Sequence, residues 1–162
     1  MLRVAVCNRQ RVCAVDAAGV VRAVRMLAGL AQARAVCGGP WRDITVYLLD
    51  DAGIAPVNRA VVGHEGPTDV ITQRYEPIPG ERPGLVGEVF INVECVLRAA
   101  PRRAGWTVGR ELALYLAHGC DHLAGADDGT PRERAAMRRR ELAWLRRLPP
   151  NIPFVHQRHP DV

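Results

Sequence analysis

The stretch from Glu111 to Asp128 constrains this chain more than any other. His118 and His122 stand four residues apart, and they can serve one purpose together only if the backbone between them is helical, which stacks both imidazoles on one face. Gly125, three residues after His122, suits the left-handed conformation that ends a helix, so the chain can turn back and offer a third side chain to the same point. Asp128 is placed to be that third ligand, with Asp127 the less well placed alternative. Two imidazoles and one carboxylate leave the fourth position of a tetrahedral metal open, as catalytic sites do and closed structural sites do not.

The rest of the chain reads as strands and helices that could carry such a helix. Leu2–Cys7 alternates like a strand, and Asp16 can cap a helix whose apolar positions Val20, Val24, Leu27 and Ala31 recur at helical spacing. Ile44–Leu49, Thr68–Thr72 and Val86–Asn92 read as three more strands, with short helices over Ile54–Val62 and Val93–Ala100. Thr107 opens the helix that holds the histidines. Thr130-Pro-Arg-Glu133 matches a capping box, and the helix it starts should run to about Leu148 on a narrow seam of Met137, Trp144 and Leu148. The expected fold class is α+β: a small mixed four-stranded sheet packed with helices, the metal site lying on a helix of the C-terminal half. Residues 1–148 are expected to form one domain. Residues 149–162, with His156 and His159, read as an exposed tail.

Composition narrows the partners. The net charge is +5, and all 22 basic residues are Arg. The missing Lys is put down to base-composition bias, but the positive balance, with a pI near 9.3, favours a polyanion. No apolar run approaches the length that crosses a bilayer and the N-terminus is unlike a signal peptide, so a cytoplasmic protein without a membrane partner is expected. Five scattered cysteines with no C-x-x-C pair suggest reduced thiols. Cys120 points away from the histidines and reads as a small buried hydrophobe.

The residue after the first histidine is Gly119, where zinc proteases of the H-E-x-x-H type carry their general base, so a peptidase mechanism lacks an obvious base. Glu111 lies two turns before His118, roughly 10 Å along the axis. It could orient a ligand or close off the site, or be an exposed first-turn charge favourable to the helix dipole.

The run His118-Gly-Cys-Asp-His122-Leu-Ala-Gly125-Ala-Asp-Asp128 resembles the YbeY family, bacterial rRNA maturation endoribonucleases whose signature is H-G-x-x-H-L-x-G-x-D-H. Pro67-Thr-Asp-Val-Ile-Thr72 is similar to that family's P-T-D-V-L-S-F and Leu85-Val-Gly-Glu-Val-Phe-Ile91 to its L-G-D-I-x-I strand. Glu111 fits the acidic residue ahead of the histidines, and Met137 the Met of the final helix. The resemblance implies a zincin-like fold and a zinc-dependent hydrolase acting on RNA near the ribosome. Three positions depart from the pattern. The third family histidine is Asp128, whose negative charge makes bound water less acidic and lets Mn²⁺ or Fe²⁺ compete with Zn²⁺. The family's Arg after the Asn58 position falls on Val62, which cannot clamp a phosphate. The Phe-Pro after the P-T-D-V strand is Gln73-Arg74.

The expected function is therefore metal-dependent endoribonucleolytic cleavage in the maturation of the small-subunit rRNA 3′ end and in ribosome quality control. His118, His122 and Asp128 would hold the metal, Asp69 and Glu111 are the candidate acid-base or orienting carboxylates, and Arg59, Arg74, Arg138 and Arg139 are the candidate RNA contacts. Expected partners are rRNA, the small ribosomal subunit and a ribosomal protein. The alternative is a non-cleaving rRNA-binding assembly factor with a structural metal. A small metalloprotease is a third reading, set back by Gly119.

Overall fold

The computed structural model describes residues 1–35, 39–77, 79–80 and 82–149, and the backbone of 155–156. In chain order the elements are β1 (Arg3–Asn8), β2 (Ala14–Val15), α1 (Ala17–Gln32), β3 (Trp41–Leu49), α2 (Asp51–Val61), β4 (Val70–Tyr75), β5 (Leu85–Asn92), α3 (Val93–Ala99), a 3₁₀ turn (Ala100–Arg102), α4 (Val108–Leu123), α5 (Pro131–Leu145) and β6 (Val155–His156). Four strands form one sheet in the order β1-β3-β5-β4. β1, β3 and β5 run parallel, and β4 lies antiparallel on the edge beside β5. This is the expected mixed α+β architecture.

Strand alternation sorts side chains between two faces. Val4 and Val6, then Ile44, Val46 and Leu48, then Leu85, Val89 and Ile91 face one way and form the main core with α1 and α4. On the reverse face Leu49 and Ile71 pack with Ile54 of α2, beside a Tyr47–Phe90 stack. α4 is buried on most of its circumference, from Glu111 through Leu112, Leu114, Leu116 and Ala117 to Leu123, which is how a helix enclosed by a sheet and by other helices must read. Gly119 faces the sheet closely: a Cβ there would stand 2.6 Å from Val89 Cγ1. At the position that carries a glutamate in H-E-x-x-H proteins, a side chain here would force Val89 to shift.

Several boundaries differ from the sequence expectation. β3 begins at Trp41, ahead of Ile44, and β4 at Val70, leaving Thr68 and Asp69 in the preceding loop. α2 starts at Asp51 because the Asp50 carboxylate accepts from Gly53 N at 2.8 Å, so residues that look like a turn are a helix cap. The last regular helix ends at Leu145, and a tight turn with Leu148 N bonded to Leu145 O carries the chain onward. In the C-terminal segment, the backbone of Val155–His156 pairs antiparallel with Ala14–Val15. The side chains of His156 and His159, read as exposed tail residues, lie outside the described residues.

Candidate metal centre

Thr107 caps α4, its hydroxyl accepting from Arg110 N at 3.1 Å. The other end closes in a Schellman turn: Gly125 N bonds to His122 O at 2.9 Å and Ala126 N to Asp121 O at 3.0 Å, with Gly125 at φ +94°. The left-handed glycine reverses the chain so that Asp128 returns over the last helical turn. Asp127 is occupied in holding that reversal, its Oδ1 accepting from Asp128 N at 2.7 Å and Gly129 N at 3.2 Å. Arg134 of α5 bonds to the Asp128 carbonyl at 2.7 Å and anchors the loop from the far side.

His118 Nε2 and His122 Nε2 then lie 3.1 Å apart, with Asp128 Oδ2 at 3.9 and 3.8 Å from them. Ligand atoms of these three residues all fall within 4.8 Å of one another. The other nitrogen of each ring is already committed. His122 Nδ1 is 3.0 Å from the Ala126 carbonyl, and His118 Nδ1 is 2.7 Å from Glu141 Oε1. A carbonyl only accepts, as does a carboxylate, so each Nδ1 donates and each neutral ring turns an Nε2 lone pair toward the other. Two lone pairs facing each other beside a carboxylate repel unless a cation lies between them. Bonds of about 2.0–2.1 Å in a tetrahedron would separate ligand atoms by roughly 3.3 Å, close to the imidazole spacing here. Asp128 needs only a small approach, and its side chain is 40% exposed and free to make it. The three residues could hold a metal.

Glu141 is the member of this site that sequence reasoning missed. It is 1% exposed, and its second oxygen faces Arg138 Nη1 at 3.5 Å. Burial disfavours the charged imidazolium of His118, but the bond to Glu141 and the charges of Glu141, Asp69 and Asp128 outweigh it, and the His118 pKa is raised. The signal for Glu141 was available: it stands four after Met137 and three before Trp144, a lone carboxylate on the apolar seam of the last helix. A second buried carboxylate, Asp121, is clasped by Arg140 through Nε and Nη2, tying α4 to α5. Cys120 is buried as expected, and burial pushes its thiol up to about 12.

Asp69 lies exposed in the loop before β4, and its charge raises the pKa of both His118 and Tyr115. Buried Asn92 pins that loop, with its N bonded to Asp69 O at 2.8 Å and its Nδ2 to Thr68 O at 3.0 Å. Glu111 is not the exposed first-turn charge that sequence allowed. It is 1% exposed and 3.2 Å from Arg103 Nη1, and its charge is felt by Tyr115, whose pKa burial first and then Asp69 and Glu111 push up to about 12. The candidate RNA contacts are not gathered in one place. Arg59 pairs with Glu65 at 3.0 Å, Arg74 with Glu76 at 3.3 Å, and Arg138 with Glu141, while Arg139 is exposed on α5. Val62 is 48% exposed at the end of α2.

A family model described as Endoribonuclease YbeY matches residues 5–149. The chain belongs to the YbeY family. It is 38% identical over 123 residues to a Rhodopirellula baltica protein named Endoribonuclease YbeY, a match covering 75% of this chain and 62% of that one. A relative of the same name from Anaeromyxobacter is 37% identical over 125 residues, covering 77% and 60%. Another from Moorella thermoacetica is 33% identical over 129 residues, covering 75% and 81%. The chain thus spans about three fifths of the first two relatives. A solution structure of a Thermotoga maritima protein superposes with a TM-score of 0.53 at 19% identity, covering 90% of this chain and 87% of that one, a likeness of fold. Within this YbeY-family fold, no helix among the described residues is long and apolar enough to cross a membrane.

Proposed function

We propose that this chain is a metal-dependent endoribonuclease that cleaves single-stranded rRNA during maturation of the small-subunit rRNA 3′ end, with a further part in ribosome quality control. The observation that carries the reading is the pair of Nε2 lone pairs converging on Asp128 Oδ2, in a family whose relatives are named endoribonucleases. His118, His122 and Asp128 would hold Zn²⁺, and the carboxylate makes Mn²⁺ and Fe²⁺ competitive. The bound cation supplies Lewis acidity at a phosphoryl oxygen and lowers the pKa of water.

The chain's own residues divide the remaining work. Glu141 and the Ala126 carbonyl keep both histidines in the tautomer that presents Nε2. Among the described residues the hydrogen bonds to the Asp69 carboxylate fall on Oδ1, from Val70 N and Thr68 Oγ1, which leaves Oδ2 to take a proton from the attacking hydroxyl or water. Glu111, locked to Arg103, would serve as an orienting carboxylate. Arg59, Arg74, Arg138 and Arg139 would contribute phosphate contacts from separate elements of the fold. Residues 1–148 act as one domain in the cytoplasm, with rRNA, the small ribosomal subunit and a ribosomal protein as partners and the segment from 149 as a tail.

The test is single-turnover cleavage of a structured rRNA 3′-end fragment with added Zn²⁺ or Mn²⁺, comparing wild type with His122→Ala and Asp69→Asn. Metal-dependent cutting should vanish in the first and fall by about 10²–10⁴-fold in the second. The exposed Val62 favours a second reading, an rRNA-binding assembly factor with a structural metal. Intact RNA at full metal occupancy, with binding retained, would establish it.

A further inference from the structure

The linker into α4 carries a charge imbalance that the metal centre does not use. Between Glu94 and Glu111 there is no acidic residue, yet Arg98, Arg102, Arg103 and Arg110 all fall in that interval. Arg98 is spent on Asp51, both nitrogens at 2.9 Å. Arg103 gives Nη1 to Glu111 but keeps a side chain 40% exposed. Arg102 and Arg110 are exposed and, among the described residues, pair with no carboxylate.

Trp106 organises this group. The Arg110 guanidinium carbon lies 4.2 Å from the indole centroid and that of Arg103 5.2 Å. Cation–π contact uses the face of a guanidinium and leaves its N–H edge free, and an Arg held on an aromatic plane has less freedom to lose when it binds. The indole Nε1 is buried without an acceptor among the described residues, so what this Trp contributes is its ring. The arginines of α5 nearest the centre are differently placed: Arg134 serves the Asp128 carbonyl, Arg138 Glu141 and Arg140 Asp121. On α4 and the turn leading into it, the exposed arginines are Arg102, Arg110 and, in part, Arg103.

The patch sits at the N-terminal end of the helix that bears the histidines. Arg110 precedes His118 by about 12 Å of helix axis. Arg103 touches Glu111, and Tyr115 senses Arg103, Glu111 and Asp69 together, the last of which also acts on His118. We infer that Arg103 and Arg110, held on Trp106, together with the neighbouring exposed Arg102 form a phosphate clamp that grips single-stranded RNA and leads it to the metal centre. The clamp rests on the endoribonuclease reading for its purpose. Its recognition is electrostatic and blind to base identity.

The test is binding of a fluorescein-labelled single-stranded oligouridylate to the full chain without added metal, across a salt series. Arg102→Gln/Arg110→Gln is compared with Arg25→Gln/Arg34→Gln, an equal charge change at exposed positions of α1 and the residues just after it. The first pair should bind about tenfold more weakly and flatten the log–log salt slope by about 1.4, two phosphates at about 0.7 each, while the second stays near wild type. Trp41 and Trp144 are each 6% exposed, so RNA-induced quenching of intrinsic fluorescence should come from Trp106 and disappear in Trp106→Phe. Equal losses in both double variants, quenching that survives Trp106→Phe, or displacement of RNA by polyglutamate at matched charge would overturn the clamp; the last would mark a surface for an acidic protein. Cleavage assayed in parallel separates the two ideas. If wild type cuts and the first double variant binds and cuts like it, the clamp fails alone; if wild type never cuts but the clamp variants lose binding, the nuclease reading fails alone.

Discussion

Glu141 offers the sharpest test, because replacing it should weaken metal binding through a residue that never touches the metal. It is 1% exposed and holds His118 Nδ1 at 2.7 Å. Carboxylates that orient a metal-bound histidine are typically worth 10–100-fold in metal affinity, about 1.4–2.8 kcal/mol. Glu141→Gln keeps an oxygen that can accept from Nδ1 and loses only the charge, so it should sit near tenfold. Glu141→Met removes charge and acceptor together and should approach 100-fold. In the metal-free protein Glu141→Met also costs stability, because it removes one partner only and leaves the His118 Nδ1–H without its acceptor and Arg138 without its carboxylate, about 1–3 kcal/mol. Apo Glu141→Met should therefore unfold at lower urea than wild type, while chelator competition reports weaker Zn²⁺ binding. A Glu141→Met protein that is less stable when metal-free and binds Zn²⁺ as tightly as wild type would refute the reasoning and make Glu141 a purely structural residue.

Other expectations follow from the same geometry. Gly119→Ala should destabilise by about 1–3 kcal/mol, since its Cβ would lie 2.6 Å from Val89 Cγ1; an unchanged urea midpoint would contradict the packing. Asp128→His should shift preference toward Zn²⁺ over Mn²⁺, read by competition with both ions at equal free concentration. Metal at about 100 times its dissociation constant should add about 2.7 kcal/mol, raising Tm by several degrees, an increment absent in His122→Ala. Acid should erode one strand contact. The bond from Arg3, followed by that from Arg42, holds Asp43 at about 2, below its usual 3.8. Its contribution is complete above the unfolded value and is lost as pH falls through the folded one, so Asp43→Asn should flatten the stability profile between about pH 4 and 2.

What could be read without coordinates was local. The histidine pair, Gly125 and Asp128 lie in one short run, and helical periodicity plus one left-handed residue bring them together. The four strands are legible from β-branched alternation, although that signal starts at Ile44 and misses Trp41, Arg42 and Asp43 of β3. The residues that orient the ligands were harder to see. Asn92 looks like the end of a strand, yet its role is to bind the loop at Thr68 and Asp69, a contact set by sheet register and not by nearby sequence. The burial of Glu111 was not legible, because nothing in its own helix announces that Arg103 folds back onto it.

The turn after α4 carries a consequence for how such a site can change. Its path is dictated by backbone bonds from Gly125 and Ala126 to His122 and Asp121, and by the grip of Arg134 on a carbonyl. None of these depends on which side chain position 128 bears. The scaffold delivers a position, and the residue there chooses the chemistry, so an imidazole can give way to a carboxylate without moving the chain. Electronic character at the centre is thereby separable from folding, and the third ligand is a place where one substitution can retune a metal's preference while the rest of the protein stays as it was.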